Sequence, residues 1–177
     1  MKTIIRALDA VSEWIGRAFS WLILVIVVVT FLNVVLRYAF AIVIIPMYES
    51  AAWAFGMVLT GCAGYALLHD DHVRVDVFYR RARPKTKALI NLLGSILLLG
   101  PFLYVLWNRS FPYVQRSWAM GEGSQELSGI PAVYLLKSFI LVFVVVLAIQ
   151  GIAVALKCLM VLSGRDHAST RDEQQIG

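Results

Sequence analysis

HDDHVRVDVFYRRARPKTK, the stretch from His69 to Lys87, lies between two pairs of long apolar segments and contains six of the sixteen Lys and Arg residues of this 177-residue chain. The whole chain is 60% hydrophobic and 15% charged, which is far from the usual balance of a water-soluble domain. Crossing a bilayer of about 30 Å takes a helix of about 20 residues, and each apolar segment reaches that length. The sequence therefore predicts an all-α integral membrane protein with four transmembrane helices and no separate soluble domain.

Two transmembrane helices and an amphipathic helix are predicted before the central stretch. Residues 1–17 alternate charged and apolar side chains at helical spacings, which is typical of an N-terminal amphipathic helix lying at the membrane interface. Residues 18–37 and 48–68 form the first and second transmembrane helices. The first apolar run is longer than the apolar core of a signal peptide, so we favour a retained helix over a cleaved one. The second helix is rich in small residues, which allow close packing in lipid, so we expect it to face protein.

The central stretch, residues 69–87, is predicted to be a cytoplasmic interfacial arm with an irregular start followed by a helix. The alternation from Val73 to Val77 would indicate a strand in a soluble protein, but a lone strand at a bilayer leaves its edges unpaired. Two imidazoles and two carboxylates open the arm, at His69, Asp70, Asp71 and His72. Neighbours on one turn cannot easily converge on a single ion, so we favour a solvated turn over a metal site.

The second half repeats the arrangement of two apolar helices around a polar connection. Residues 88–108 form the third transmembrane helix, in which Pro101 predicts a kink. Residues 109–130 form a polar loop on the outer side, 131–160 the fourth transmembrane helix, and 161–177 a cytoplasmic tail.

The positive residues lie mostly on one side of these four spans. Twelve of the sixteen are in the two termini and the central arm, when Lys157 near the end of the fourth helix is counted with the carboxyl terminus, while the other side has only Arg37, Arg109, Arg116 and Lys137. Positive residues are retained on the cytoplasmic side. Both termini and the central arm are therefore expected to be cytoplasmic.

Several functional classes find no support in the sequence. The basic residues flank apolar segments and do not form a face interleaved with aromatic residues, so no nucleic acid partner is expected. The chain has no GxSxG, HExxH or phosphate-binding glycine loop, and no histidine within a span to hold a haem, so neither an enzyme nor a cofactor is expected. A small four-helix exporter would need an ionisable residue in mid-membrane, where only amides and thiols lie. It remains the alternative function.

A set of separated motifs resembles the small membrane subunit, DctQ-like, of tripartite ATP-independent periplasmic (TRAP) transporters. They are Asn33-Val-Val-Leu-Arg37-Tyr38, Glu49 opening the second helix, His72-Val-Arg74-Val-Asp76-Val, Trp118 before Gly121-Glu122-Gly-Ser124, Gly129-Ile-Pro131, Lys137-Ser138 and Gln150. The resemblance extends from about Asn33 to Gln150, and the combined spacing is more specific than any single motif.

The resemblance implies a scaffold subunit without a cofactor in the bacterial inner membrane, in contact with membrane lipid. Its partners would be a large membrane subunit, which contains the substrate and ion sites, and a periplasmic substrate-binding protein. Transport would import organic carboxylates with a sodium gradient. The implied subunit-interface or structural residues are Asn33, Arg37, Glu49, Arg74, Asp76, Lys137 and Gln150, and the candidates for docking the binding protein are Trp118, Glu122 and Ser124.

Arg37 and Glu49 are also predicted to meet each other. The topology places both at the outer boundary, one at the end of the first helix and one at the start of the second, with Pro46 in the short connection. We therefore expect a partly buried ion pair across this turn.

Overall fold

A computed structural model describes residues 2–69 and 83–163 of the chain. Arg74 and Asp76, with the rest of the arm from 70 to 82 and the tail from 164, lie outside the described residues. Four helical stretches are long and apolar enough to cross a membrane, at Lys2–Phe40, Ile45–Leu68, Pro84–Met120 and Val133–Leu162. The prediction of an all-α membrane protein with four spanning helices is confirmed. The helices are α1 Lys2–Ser20, α2 Leu22–Phe40, α3 Ile45–Gly61, α4 Ala63–Leu68, α5 Pro84–Gly94, α6 Gly100–Met120 and α7 Val133–Leu162.

Helix α7 is the central helix of the bundle. It packs against α1, α3, α4, α5 and α6, and it buries the largest share of the apolar core, including Val144, Val146, Leu147 and Ala153. The run from Ser138 to Leu156 is uncharged, so α7 can pack on all sides without burying an unpaired charge.

Helix α1 is amphipathic, as the sequence predicts, but it lies along the bundle and not across its surface. Its buried residues include Ser12 and Gly16, and the small Gly16 lets the Tyr65 side chain approach so closely that a Cβ there would overlap it. The Asp9 carboxylate lies 2.8 Å from the Lys157 ammonium. The small residues and Asp9 share one face of α1, and this face explains why α1 packs on α4 and α7.

The direction of α1 follows from two contacts with α7. Asp9 meets Lys157 near the end of α7, whereas the ring of Phe19 packs edge-on against Phe139 near its start, with centroids 5.9 Å apart. Helices α1 and α7 are therefore antiparallel. After a turn at Trp21, the chain continues into α2.

Helices α2 and α3 form a hairpin with a tight connection. The first turn of α3 contains Pro46, and α2 is capped after Phe40 by Ala41, whose φ of 54° is left-handed and whose N–H donates to the Leu36 carbonyl. Small residues of α3 and α4 pack against other helices of this same chain. Phe19 lies over Gly61, and Val146 lies over Gly64, so closely that a Cβ would overlap either side chain.

The third span contains a π-helical segment, Ser95–Leu99, directly before Gly100 and Pro101. The N–H of Gly100 donates to the Ser95 carbonyl, five residues earlier, and π segments are a common way to accommodate a disturbed hydrogen-bond ladder. The sequence predicts a kink at Pro101, and the irregular segment of the third span lies about one turn before that residue.

The connection between α6 and α7 is shorter than the predicted loop 109–130, because α6 continues to Met120. The buried residues of α6 are Ser110, Val114 and Ser117, and this spacing places them on one helical face. Arg109 and Arg116 are exposed on the other faces of α6, and these charges favoured the prediction of a loop. The helix ends where Gly121 adopts φ 56°, a left-handed conformation that glycine tolerates at a helix C-terminus.

Candidate docking loop and adjacent cleft

Residues 121–132, here called the outer loop, join α6 to α7 and are bound to the N-terminal part of α3 by Glu49. One carboxylate oxygen of Glu49 accepts a hydrogen bond from the Ser124 hydroxyl. The other accepts the backbone N–H of Ile130 at 2.6 Å. Ser124 and Ile130 also bind each other, because the Ser124 N–H donates to the Ile130 carbonyl at 3.1 Å. Glu49 therefore holds both sides of the outer loop.

Gly129 is part of this arrangement through its lack of a side chain. A Cβ at this position would collide with the Ser124 side chain and with the Glu49 carboxylate. Neither neighbour is free to move away, because each is engaged in the hydrogen bond that closes the loop. Glycine is thus required here by the close approach of Glu49.

Glu122 fixes the start of the outer loop to two helices. Its carboxylate lies 2.5 Å from the Lys137 ammonium on α7 and accepts the Ser117 hydroxyl of α6 at 2.7 Å. These donors, Lys137 first and Ser117 second, hold the pKa of the Glu122 carboxyl below its usual value. The Lys137 ammonium also lies 4.1 Å from the centre of the Tyr113 ring, a cation–π distance.

Trp118 makes the last link between α6 and α7. Its indole N–H donates to the Ser138 hydroxyl at 2.8 Å, and its ring lies 4.6 Å from that of Tyr134. About half of the Trp118 side chain is still exposed, whereas Leu127 in the outer loop is fully exposed. The sequence did not single out Leu127, although an apolar residue amid the polar residues from Ser124 to Ser128 was a usable signal.

The three predicted docking candidates thus have different surroundings. Glu122 and Ser124 direct their polar groups toward this chain's own residues. Only Trp118 combines an internal hydrogen bond with a large exposed surface.

The predicted ion pair between Arg37 and Glu49 is wrong for the described structure. The ion pairs of residues 2–69 and 83–163 do not include it, since Glu49 is bound by Ser124 and Ile130 instead. The Arg37 guanidinium lies 5.8 Å from the centre of the Tyr38 ring. Arg37, Glu49 and Asn33 do come together as lining residues of one open cleft.

A second polar cluster lies at the other end of the bundle, around Asp9. Its carboxylate accepts the Lys157 ammonium at 2.9 Å and the Gln150 amide at 3.2 Å. Gln150 is fully buried, and its Oε1 has no hydrogen-bond partner among the described atoms. Sequence reasoning identified Gln150 and missed Asp9. The spacing of Asp9, Ser12 and Gly16 on one helical face was the available signal.

His69 ends the described part of the first half and is bound to α1. Its Nε2 lies 2.7 Å from the Glu13 carboxylate, which also pairs with Arg17 on the next turn at 2.7 Å. Of the four candidate metal-binding residues at the start of the arm, His69 is the one that the structure describes.

These features define a small four-span membrane protein in which the polar contacts tie helices and a loop to one another. The chain belongs to the DctQ family, because the family model "Tripartite ATP-independent periplasmic transporters, DctQ component" matches residues 26–160. It is therefore a small membrane subunit of a TRAP transporter. No curated protein and no solved structure matches the chain.

Proposed function

We propose that this subunit is a scaffold that binds the large membrane subunit through α2 and presents the outer loop to the periplasmic substrate-binding protein. The observation that carries the proposal is that α2 has no buried residue. The complete transporter would import organic carboxylates with a sodium gradient across the bacterial inner membrane, and both termini of this chain would be cytoplasmic.

Among the described α-helices, α2 is the one without a buried residue. It packs on α3 and on the end of α1, while Leu24, Val28 and Phe31 are exposed. These three residues, here called the α2 outer face, follow one another at helical spacings and lie opposite α3. Helix association in lipid depends on side-chain packing, so these exposed side chains are suited to packing against a partner's surface.

The outer loop has the properties of a docking element. Glu49 and Lys137 hold it from two sides, which lowers the ordering cost that a flexible loop incurs on binding. It presents the fully exposed Leu127, an apolar side chain that a partner can cover. Surface loops on a rigid scaffold are frequent binding elements.

Co-purification with the large subunit tests the role of α2. We expect Phe31→Ala combined with Leu24→Ala to reduce the recovered large subunit by at least about tenfold, because packing contacts at an interface core are lost. Phe102→Ala on α6 is the matched control, since Phe102 is also an exposed phenylalanine within a span. Equal loss in both variants, or in neither, contradicts the assignment of the α2 outer face.

The docking role has a separate test in binding of the periplasmic protein to the assembled membrane subunits. Leu127→Ser is expected to weaken this binding, whereas Gln125→Ala in the same loop is expected to leave it unchanged. Both residues are exposed, so neither change should disturb the fold. Unchanged binding in Leu127→Ser would remove the loop tip from the docking surface.

A further inference from the structure

A cleft of about 540 Å³ opens where α2, α3 and the outer loop meet. It lies at the same end of the molecule as the Glu49 contacts, where the apolar part of α2 finishes. Its lining residues are Thr30, Asn33, Val34, Arg37, Tyr38, Val43, Ile45, Tyr48, Glu49 and Glu126.

Two opposite charges face this cleft without pairing with each other. Arg37 is exposed, and among the described residues its one recorded contact is with the neighbouring Tyr38 ring. The Glu126 carboxylate likewise takes part in none of the ion pairs of the described residues. Glu49, the third charged residue, has both oxygens occupied by Ser124 and Ile130. Within the part of the chain that the structure describes, the cleft thus offers Arg37 and Glu126 without a partner of opposite charge.

The rest of the lining is divided between hydrogen-bonding groups and hydrocarbon. Tyr48 and Asn33 also line the cleft, and the hydroxyl of one and the amide of the other can donate to an anion. Val34 and Val43 provide apolar wall, and each is exposed. Charged groups next to an apolar wall at a membrane boundary suit an amphipathic ligand.

We propose that the cleft binds a zwitterionic phospholipid with a primary ammonium in its headgroup. The phosphate lies at Arg37, whose guanidinium is well matched to phosphate oxygens. The ammonium lies at Glu126, and an acyl chain follows Val34, which lies one turn from Arg37 toward the middle of α2. A lipid with a net negative headgroup fits less well, because it leaves Glu126 unpaired and close to a second negative charge.

Native mass spectrometry of the full chain, released from nanodiscs of mixed lipids, tests the proposal. The discs contain phosphatidylethanolamine, phosphatidylcholine and phosphatidylglycerol in equal amounts. We expect preferential retention of phosphatidylethanolamine, reduced about tenfold in Arg37→Gln, as for loss of one charge-assisted contact. Arg109→Gln, another exposed arginine outside the cleft, is the matched control and should retain the lipid.

Glu126→Gln separates the headgroup types. This variant should lose the preference for phosphatidylethanolamine over phosphatidylglycerol while it still binds phospholipid through Arg37. Retention without headgroup preference in the unaltered chain, or equal retention in the chain and in Arg37→Gln, overturns the proposal. Equal competition by free inorganic phosphate also overturns it, because the acyl chain would then contribute nothing.

A photo-crosslinking residue at Val43 gives a readout that does not depend on removing a charge. In membranes of cells that contain the full transporter, the product should be a lipid adduct of the chain. A crosslink to another protein in place of lipid would show that a partner's side chain fills the cleft, and would contradict the lipid site.

Discussion

Glu49 and Ser124 are 75 positions apart in the chain, and the Ser124 hydroxyl donates a hydrogen bond to the Glu49 carboxylate. The second oxygen of Glu49 accepts the Ile130 N–H. The N-terminal part of α3 and the outer loop are therefore one structural unit, and a change in either should alter the conformation of the other. A carboxylate at the edge of hydrocarbon is costly unless it is paired or solvated, and here two donors meet that requirement.

The serine hydroxyls of the outer loop give a matched test of this unit. Ser124→Ala removes a donor to Glu49, so amide hydrogen exchange at Ile130 should accelerate by about tenfold or more, because the loop opens more often. Ser128→Ala should leave the exchange rate unchanged, since Ser128 is exposed and lies in the same loop. Equal exchange rates in the two variants would show that the contact with Glu49 does not order the loop.

Exchanging the charges of Arg37 and Glu49 distinguishes a shared pair from separate partners. Glu49→Arg removes the acceptor for Ser124 and Ile130, and a glutamate at position 37 cannot replace it. The double variant should therefore assemble with the large subunit no better than Glu49→Arg alone. Recovery of assembly in the double variant would instead favour the ion pair that the sequence predicts.

Acid should weaken the anchoring of the outer loop through Glu122. Its carboxyl has a lowered pKa in the folded protein, chiefly because Lys137 donates to it, so its stabilising contribution is complete above the ordinary glutamate pKa of about 4.3. The contribution is lost as pH falls through the lowered value. The difference in Tm between the unaltered chain and Glu122→Gln should be constant from neutral pH to the ordinary pKa and shrink below it. A difference that already shrinks near pH 6 would contradict this assignment.

The sequence predicts the spanning helices well because long apolar runs have few alternatives in lipid. The sequence predicts less well the features that depend on contacts between distant residues, namely the end of α6 and the partner of Glu49. The helical face of Ser110, Val114 and Ser117 overrode the charges that suggested a loop, and Ser124 replaced Arg37 as the partner of Glu49. Both outcomes depend on residues that are distant in sequence, and spacing alone does not bring such residues together.

The orientation of the chain is tested by labelling single cysteines from outside intact cells. The background lacks Cys62 and Cys158, and the reporter positions are Ser128→Cys and Lys85→Cys, both at exposed residues. The distribution of Lys and Arg predicts that position 128 is outside and position 85 inside. A membrane-impermeant reagent should label the first and reach the second only after permeabilisation. Labelling of position 85 in intact cells would contradict this predicted orientation.

Uptake into liposomes is the most direct test of the scaffold role. Four preparations are compared, namely this chain alone, the large subunit alone, both together, and both with the binding protein, each with and without an inward sodium gradient. We predict that this chain alone transports no organic carboxylate, and that uptake needs both membrane subunits, the binding protein and the gradient. Gradient-driven uptake or export by this chain alone would contradict the scaffold role and favour a stand-alone four-helix transporter.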